Sequence, residues 1–494
     1  MNYSILLTAL LPELFVVLSL FAALGVDYGL LRHHPLPTRS RIAASIACIG
    51  LVIGIAVIIG QMLWFAPRSL GQDQIVLTSL TLGAKALLFG LATVVCILSA
   101  DQAPNTHVSE YYALILLSTL GAGFLVCTEN LLLIFVALEL VSLSLYALTA
   151  FNKSSRASAE AGLKYFTFGA VSSAFLLFGL SYFYGVVQTL NLHDATLAIT
   201  SLEAIPPLLR VAILLILVGL GFKIAMAPFH FWVPDVYQSA PTPVAAWIAS
   251  GSKVAGFFVL IKILQPVAIT PSTKAIWMGG VALGAALSLL IGNLGALRQS
   301  NLKRLLAYSA VGHAGYMLIG VLSGTVEGMA AVIFYVVIYA LANLGAFGVI
   351  NLVSDRNGLT ADIQDIAGCW KRSPLLALLT AVFFLSLAGI PPLAGFIGKF
   401  YLFFSAIEAQ PTIAKWYEGA YWLVGLALLM SAVSLYYYLR VLKVSFVSDP
   451  AATPAPIRVT SAEWICLGLL ALLLITSGLF PDPIIHFIRC SLVG

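Results

Sequence analysis

Five lysines of this chain interrupt stretches that are otherwise apolar: Lys85, Lys164, Lys223, Lys253 and Lys399. Arginine keeps its proton in proteins, whereas a desolvated lysine can exist in both states. A structural ion pair could use either residue. A relay that takes up and releases protons needs the titratable one, so lysine at every position points to proton handling. Lys223 has the most telling surroundings, Gly221-Phe-Lys-Ile-Ala-Met-Ala-Pro-Phe-His-Phe-Trp-Val-Pro234, in which Pro228 and Pro234 flank His230. In lipid a free backbone carbonyl or N–H costs several kcal/mol, so a proline-broken helix survives only buried in protein or beside water. An ionisable group at such a break is a functional residue by default. The alternative is a kinked structural helix whose lysine snorkels to the surface.

Glu139 sits near the middle of Phe135-Val-Ala-Leu-Glu-Leu-Val-Ser-Leu-Ser-Leu-Tyr146. A carboxylate there costs about 2.5–3.5 kcal/mol on the lenient insertion scale. An ion pair at about 4 Å and an effective dielectric near 20 is worth roughly 4 kcal/mol, enough to offset it. Lys223 is the preferred partner and Lys164 the rival; a protonated Glu139 bonded to a neighbouring helix is the third possibility. Lys253 lies among small residues in Ala249-Ser-Gly-Ser-Lys-Val-Ala-Gly256, which permit close helix approach and leave room for water. His313, in Val311-Gly-His-Ala-Gly-Tyr316, is either a shuttle near neutral pH or a hydrogen-bonded packing residue. Lys399 follows a second break, Gly389-Ile-Pro-Pro-Leu-Ala-Gly395. Glu13 and Lys85 are expected nearer helix ends and the periphery, as structural or contact residues.

These residues need long apolar helices to hold them. Hydrophobic residues make up 61% of the 494 and charged residues 9%, which excludes a soluble globule. Runs of about 20 apolar residues recur, giving roughly fourteen spans. They lie near 4–25, 41–65, 77–99, 110–127, 129–150, 160–185, 208–228, 242–264, 274–296, 304–323, 328–353, 374–407, 418–446 and 462–480. The first lacks a basic start and a clear cleavage site and reads as a retained helix. The fold class is an all-α polytopic membrane protein with two inverted five-helix repeats, each containing a broken helix. The odd number of helices between the breaks requires the inversion. The expected divisions are a three-helix segment 1–105, a first repeat 106–265, a second repeat 266–447 and a C-terminal helix 448–494. The two breaks are matched through Gly-Phe-Lys223 and Gly-Phe-Ile-Gly-Lys399.

One set of alternate loops holds Arg32, Arg39, Arg41, Lys153, Arg156, Arg298, Lys303, Arg304, Arg356, Lys371, Arg372, Arg440, Lys443 and Arg458. The other holds Arg68, Arg210, Lys262, Lys274, Lys415 and Arg489. The richer set should face the cytoplasm, with both termini on the periplasmic side of the inner (plasma) membrane. Cys48, Cys96, Cys127, Cys369, Cys466 and Cys490 are not spaced as a metal or cluster site requires. No phosphate-cradling or dinucleotide motif is present, and the basic residues in short loops do not indicate nucleic acid.

Gly221–Pro243, Asn301-Leu-Lys-Arg-Leu-Leu-Ala-Tyr-Ser309, Leu385–Tyr401 and Tyr436-Tyr-Tyr-Leu-Arg440 together closely resemble the subunit N family of bacterial respiratory complex I. That family belongs to a wider antiporter-like group that includes subunits of sodium/proton antiporters. The likeness runs from the fourth span to the thirteenth. It implies proton pumping coupled to NADH:quinone oxidoreduction. It pairs Glu139 of the fifth helix with Lys223 of the seventh, sets Lys253 on the central axis and puts Lys399 toward the exit. It implies no cofactor in this chain, with FMN, iron–sulfur clusters and quinone in other subunits. The implied partners are other membrane-arm subunits, including the neighbouring antiporter-like subunit and the small subunit at the quinone-proximal end, and the lipid bilayer. Lys164, His230 and His313 are further relay candidates. A sodium/proton antiporter subunit and a purely structural membrane-arm subunit are the competing readings.

Overall fold

The computed structural model describes residues 3–64, 68–71, 74–101, 106–268, 271–354, 361–409, 420–449 and 457–493. Arg356 and Lys415, two of the residues used for orientation, lie outside them. The first helices are α1 (Tyr3–Ala9), α2 (Leu11–Gly29) and α3 (Leu36–Trp64), followed by the antiparallel pair β1 (Arg68–Leu70) and β2 (Ile75–Leu77). Next come α4 (Ser79–Ser99), α5 (Val108–Cys127), α6 (Leu131–Thr149), α7 (Arg156–Val187), α8 (Leu192–Thr200) and α9 (Pro207–Lys223). They are followed by α10 (Val233–Ser239), α11 (Thr242–Ala249), α12 (Gly251–Leu264), α13 (Pro271–Leu297), α14 (Leu302–Ser323) and α15 (Val326–Val353). A 3₁₀ turn, Ile363–Ile366, leads to α16 (Cys369–Arg372), α17 (Pro374–Ala388), α18 (Ala394–Glu408), α19 (Tyr421–Phe446), α20 (Ser461–Leu479) and α21 (Asp482–Val493).

Among the described residues, 12 helical segments are long and apolar enough to cross a membrane. The expected spans 208–228 and 374–407 are the interrupted ones, α9 with α10 and α17 with α18. A third interruption was not expected. The span 242–264 bends at Ser250, between α11 and α12. Ser250 Oγ donates back to the Ala246 carbonyl at 2.6 Å, and Gly251 follows, a combination that bends helices.

The chain forms two compact units: Met1–Leu220 with Val254–Lys274, and Gly221–Lys253 with Ala275–Gly494. In the first, α2 to α7 pack in sequence and α5 returns against α2. Glycines set the spacing: a Cβ at Gly50 would lie 2.2 Å from Ser19 Oγ. At one end Asp27 accepts from Arg39 Nε at 2.7 Å, from Arg39 Nη2 at 2.8 Å and from Ser109 Oγ at 2.8 Å, tying α2, α3 and α5 together. In the second, α15 is the axis and touches α11, α14, α17, α18, α20 and α21.

Two local arrangements occur twice. Asn130 caps α6, and Leu131 N donates to Leu190 O (2.8 Å) while Leu192 N donates to Glu129 O (3.0 Å). Asn301 caps α14 in the same way, with Leu302 N on Ala361 O (2.6 Å) and Ile363 N on Ser300 O (2.8 Å). The breaks also match. Ala225 (φ 63°) and Gly389 (φ 83°) each end a helix in the left-handed region. Met226 N reaches Gly221 O and Ala225 N reaches Phe222 O; Ile390 N reaches Leu385 O and Gly389 N reaches Ser386 O. Both are the six-to-one and five-to-two bonds that close a helix C-terminus.

This register corrects the sequence match between the breaks. With Ala225 on Gly389, Lys223 falls on Leu387 and Lys399 on Asp235, so the two lysines are not equivalent. Lys223 precedes its break and Lys399 follows its own.

Candidate functional site

The second unit brings three of the expected residues together. Lys253 starts α12, is 1% exposed, and its Nζ donates to the Ala310 carbonyl of α14 at 2.5 Å. It also lies 5.5 Å from the centre of the Tyr339 ring. Three residues along α14, His313 has both ring nitrogens engaged: Nδ1 with Tyr335 Oη at 2.8 Å and Nε2 with Tyr438 Oη at 3.0 Å. The Tyr438 hydroxyl also meets Ser309 Oγ. Tyr339 and Tyr316 face the imidazole at 4.9 and 5.7 Å between ring centres. Lys399 of α18 reaches back across the second break, donating to Ala388 O at 2.9 Å and Ser431 Oγ at 3.1 Å, 4.8 Å from the Tyr316 ring centre. Both amines lie within Coulombic range of His313.

Hydroxyls donate and accept, and imidazole exchanges its proton between two nitrogens. A histidine held by a hydroxyl at each nitrogen, with an amine on either side, can receive a proton from one direction and release it in the other.

The remaining candidates are placed as follows. Glu139, on α6 in the first unit, accepts from Ser173 Oγ of α7 at 2.5 Å, with Tyr146 in Coulombic range. Lys164 pairs with Glu160 of its own helix at 2.8 Å, with side chains 40% and 60% exposed. Lys223 belongs to the second unit and ends α9, its Nζ 5.7 Å from the Phe222 ring centre. His230 is buried and stacked on Phe231, and its Nδ1 has no hydrogen-bond partner among the described residues.

Several polar groups escaped the sequence reading. Glu13 and Lys85 are not peripheral: they form a tight ion pair with side chains 6% and 1% exposed. Lys262 and Lys303, counted as loop residues, lie in helices. Lys262 Nζ closes the end of α5 through Val126 O (2.7 Å) and Thr128 O (3.0 Å), and Lys303 Nζ binds Ala240 O at 3.1 Å. The Asn301 cap was the available signal for Lys303, since it starts the helix one residue before it. Tyr335, Tyr339 and Asn343 recur every four residues, so neighbours in the series share one side of α15, a spacing legible in the sequence but not used. Among the described residues no group of three or more His, Cys, Asp or Glu is placed to hold a metal.

The family model described as NADH:quinone oxidoreductase/Mrp antiporter, TM, matches residues 128–420. The chain is 44% identical to NADH-quinone oxidoreductase subunit N 2 of Acidobacterium capsulatum, covering 99% of each. A subunit of respiratory complex I from Thermus thermophilus with bound aureothin is similar at 34% identity and TM-score 0.79, covering 96% of this chain and 98% of that one. A chain of the Mrp complex from Dietzia shares the fold at TM-score 0.82 and 20% identity, covering 99% and 97%.

Proposed function

The chain belongs to the NADH:quinone oxidoreductase/Mrp antiporter family of transmembrane proteins, and from that premise we propose that protons cross it along a file of buried amines. It is a multi-pass membrane-arm subunit of a proton-translocating NADH:quinone oxidoreductase. The proposed route starts with Glu139 and Lys223. While the two are paired the lysine proton is held; when the pair opens the proton moves on to Lys253. His313 then hands it to Lys399, on the exit side. The neighbouring charge sets the proton affinity at each stage. Lys164 and His230 are further relay candidates on this reading.

The observation that carries the route is His313, bonded at both nitrogens and flanked by Lys253 and Lys399. The driving energy comes from redox chemistry elsewhere in the complex. FMN, the iron–sulfur clusters and quinone are assigned to other subunits, which makes this a non-redox subunit of the enzyme. Its proposed neighbours are another antiporter-like subunit and the small subunit toward the quinone end. The bacterial inner membrane, with both termini periplasmic, is the proposed setting.

The test is the whole complex carrying Lys253→Met in proteoliposomes. NADH-driven proton uptake should fall at least about tenfold, a conservative figure beside the 10²–10⁴ of a positioned proton-transfer group. Normal pumping sinks the route. Pumping that requires sodium would move the chain to the antiporter reading.

A further inference from the structure

The cysteines take no part in the route above, yet the fold of the first unit puts two of them face to face. α3 and α4 pack against each other antiparallel. Gly54 of α3 backs onto Phe89 of α4, where a Cβ would lie 2.9 Å from the ring. Six residues back along α3 stands Cys48, and seven residues on along α4 stands Cys96. Cys48 Sγ donates to the Thr93 carbonyl at 3.8 Å, one turn short of Cys96 on the same helix. The two thiols are themselves in hydrogen-bonding contact. The turns around them carry small buried residues, Ala44 and Ala47 on α3 and Ala92 on α4. Such residues let helix backbones approach closely, and a disulfide needs Cβ atoms about 3.5–4.5 Å apart.

The two thiols differ in access. Cys96 is fully buried, whereas Cys48 is only half-buried and stands next to the exposed Ile49. Beyond Cys96 the interface turns polar. Ser99 Oγ donates to Tyr112 Oη of α5 at 3.3 Å, and Ser40 Oγ meets the same hydroxyl at 3.1 Å. Tyr112 lies within Coulombic range of both thiols. These buried hydroxyls both donate and accept, so a small polar oxidant, and the water it becomes, finds groups to bond to beside the sulfurs. Cysteine also packs as a small hydrophobe, but residues used only in that way need not meet sulfur to sulfur.

We propose that Cys48 and Cys96 form a reversible redox site, a dithiol that a peroxide oxidises to a disulfide joining α3 to α4. Cys48, the more accessible, attacks first. Its sulfur takes a hydroxyl from hydrogen peroxide, the O–O bond breaks, and the other oxygen leaves as water with the thiol proton. Cys96 then resolves the sulfenic acid. Its sulfur bonds to Cys48 Sγ, the S–O bond breaks, and the hydroxyl leaves as water with the second thiol proton. Two electrons pass from the thiols to one peroxide, which becomes two waters, and a thiol reductant reverses the change. The site stands apart from the proposed proton route, whose Lys253, His313 and Lys399 belong to the other unit.

The test uses the intact complex in its native membranes, treated with hydrogen peroxide, then denatured and labelled with a maleimide-polyethylene glycol. The parent subunit should lose two of its six labels, and a thiol reductant should restore both. Peptide mass spectrometry should find Cys48 joined to Cys96. Cys48→Ser and Cys96→Ser should each carry five labels before and after a treatment that bridges the parent. If Cys48 and Cys96 both stay labelled after peroxide, or the lost labels belong to other cysteines, the two thiols are packing residues and the assignment is overturned. Cys48 driven on to sulfinic acid while Cys96 stays labelled overturns it as well, because Cys96 would then not be the resolving thiol.

Discussion

Gly389→Ala should uncouple the subunit without unfolding it. Gly389 ends α17 at φ 83°, where an L residue costs about 1–2 kcal/mol. A Cβ there would lie 3.0 Å from Lys399 Cδ and 3.2 Å from Nζ. That clash is cheap, because the far end of a long side chain can give by a few tenths of an ångström. The part that gives is the Lys399 amine, the exit-side group of the proposed route. It would leave its 2.9 Å contact with Ala388 O and its 3.1 Å contact with Ser431 Oγ. A hydrogen bond from a charged group contributes about 1.5–3 kcal/mol. Losing the lower figure from the transfer step slows it about tenfold. The assay is NADH-driven proton uptake by the reconstituted complex, normalised to the subunit retained on native gels. Ala225→Gly is the control: it relieves left-handed backbone strain at the first break and adds no side-chain atoms there. It should leave pumping intact. Normal pumping by Gly389→Ala, or an equal loss in Ala225→Gly, would refute the reasoning.

Tyr335→Phe and Tyr438→Phe each remove one hydroxyl from His313, so each should slow pumping and the double variant should be slower than either, measured in the same vesicles. Asp27→Ala leaves the mostly buried Arg39 guanidinium uncompensated, a cost of about 3–5 kcal/mol, read as loss of the subunit from the complex on mild heating. Glu13→Gln should lower that retention too, with pumping per assembled complex unchanged; the paired change Glu13→Leu with Lys85→Met should restore it. Loss of pumping in an assembled Glu13→Gln complex would make the pair part of the machinery. Asp449, held below the usual carboxylate range by Lys371, is fully exposed, so Asp449→Ala should change neither retention nor its pH dependence.

The helices were legible because lipid demands length and apolarity at once, and α3, α4, α14 and α20 begin and end within a few residues of expectation. Both proline breaks were legible for the same reason. The bend at Ser250 was not, since a serine–glycine step inside an apolar run leaves the composition unchanged. The amines Lys253 and Lys399 were found because a buried charge is rare. Lys303 and Lys262 were misread because position near a helix end says nothing about which way a side chain turns. The hydroxyls on His313 come from two other helices, Tyr335 of α15 and Tyr438 of α19, the latter also bonded to Ser309 of α14 itself. No local pattern predicts that meeting. The spacing of the breaks was legible, yet matching residue types set Lys223 against Lys399, whereas the backbone bonds set Ala225 against Gly389.

The second break bears on how the Lys399 amine can be held without being locked. Lys223 lies in the last turn of α9, and Lys399 reaches back to Ala388, the last residue of α17. The second break thus puts the Lys399 amine at the end of the half-helix that precedes it in the chain. The unpaired carbonyls of a helix C-terminus carry about half a negative charge, and a cation there gains typically 0.3–1 kcal/mol, up to about 2 when partly buried. A carboxylate partner at contact would contribute roughly 4 kcal/mol. The smaller figure suits Lys399 on the proposed route, where it would pick up and release a proton at every turnover. The larger suits Glu13 and Lys85, which fasten α2 to α4. On this argument, placing an aspartate beside Lys399, as in Ser431→Asp, should stop pumping by holding the amine charged. If Ser431→Asp pumps as the parent does, weak retention at a broken helix is not what keeps Lys399 reversible.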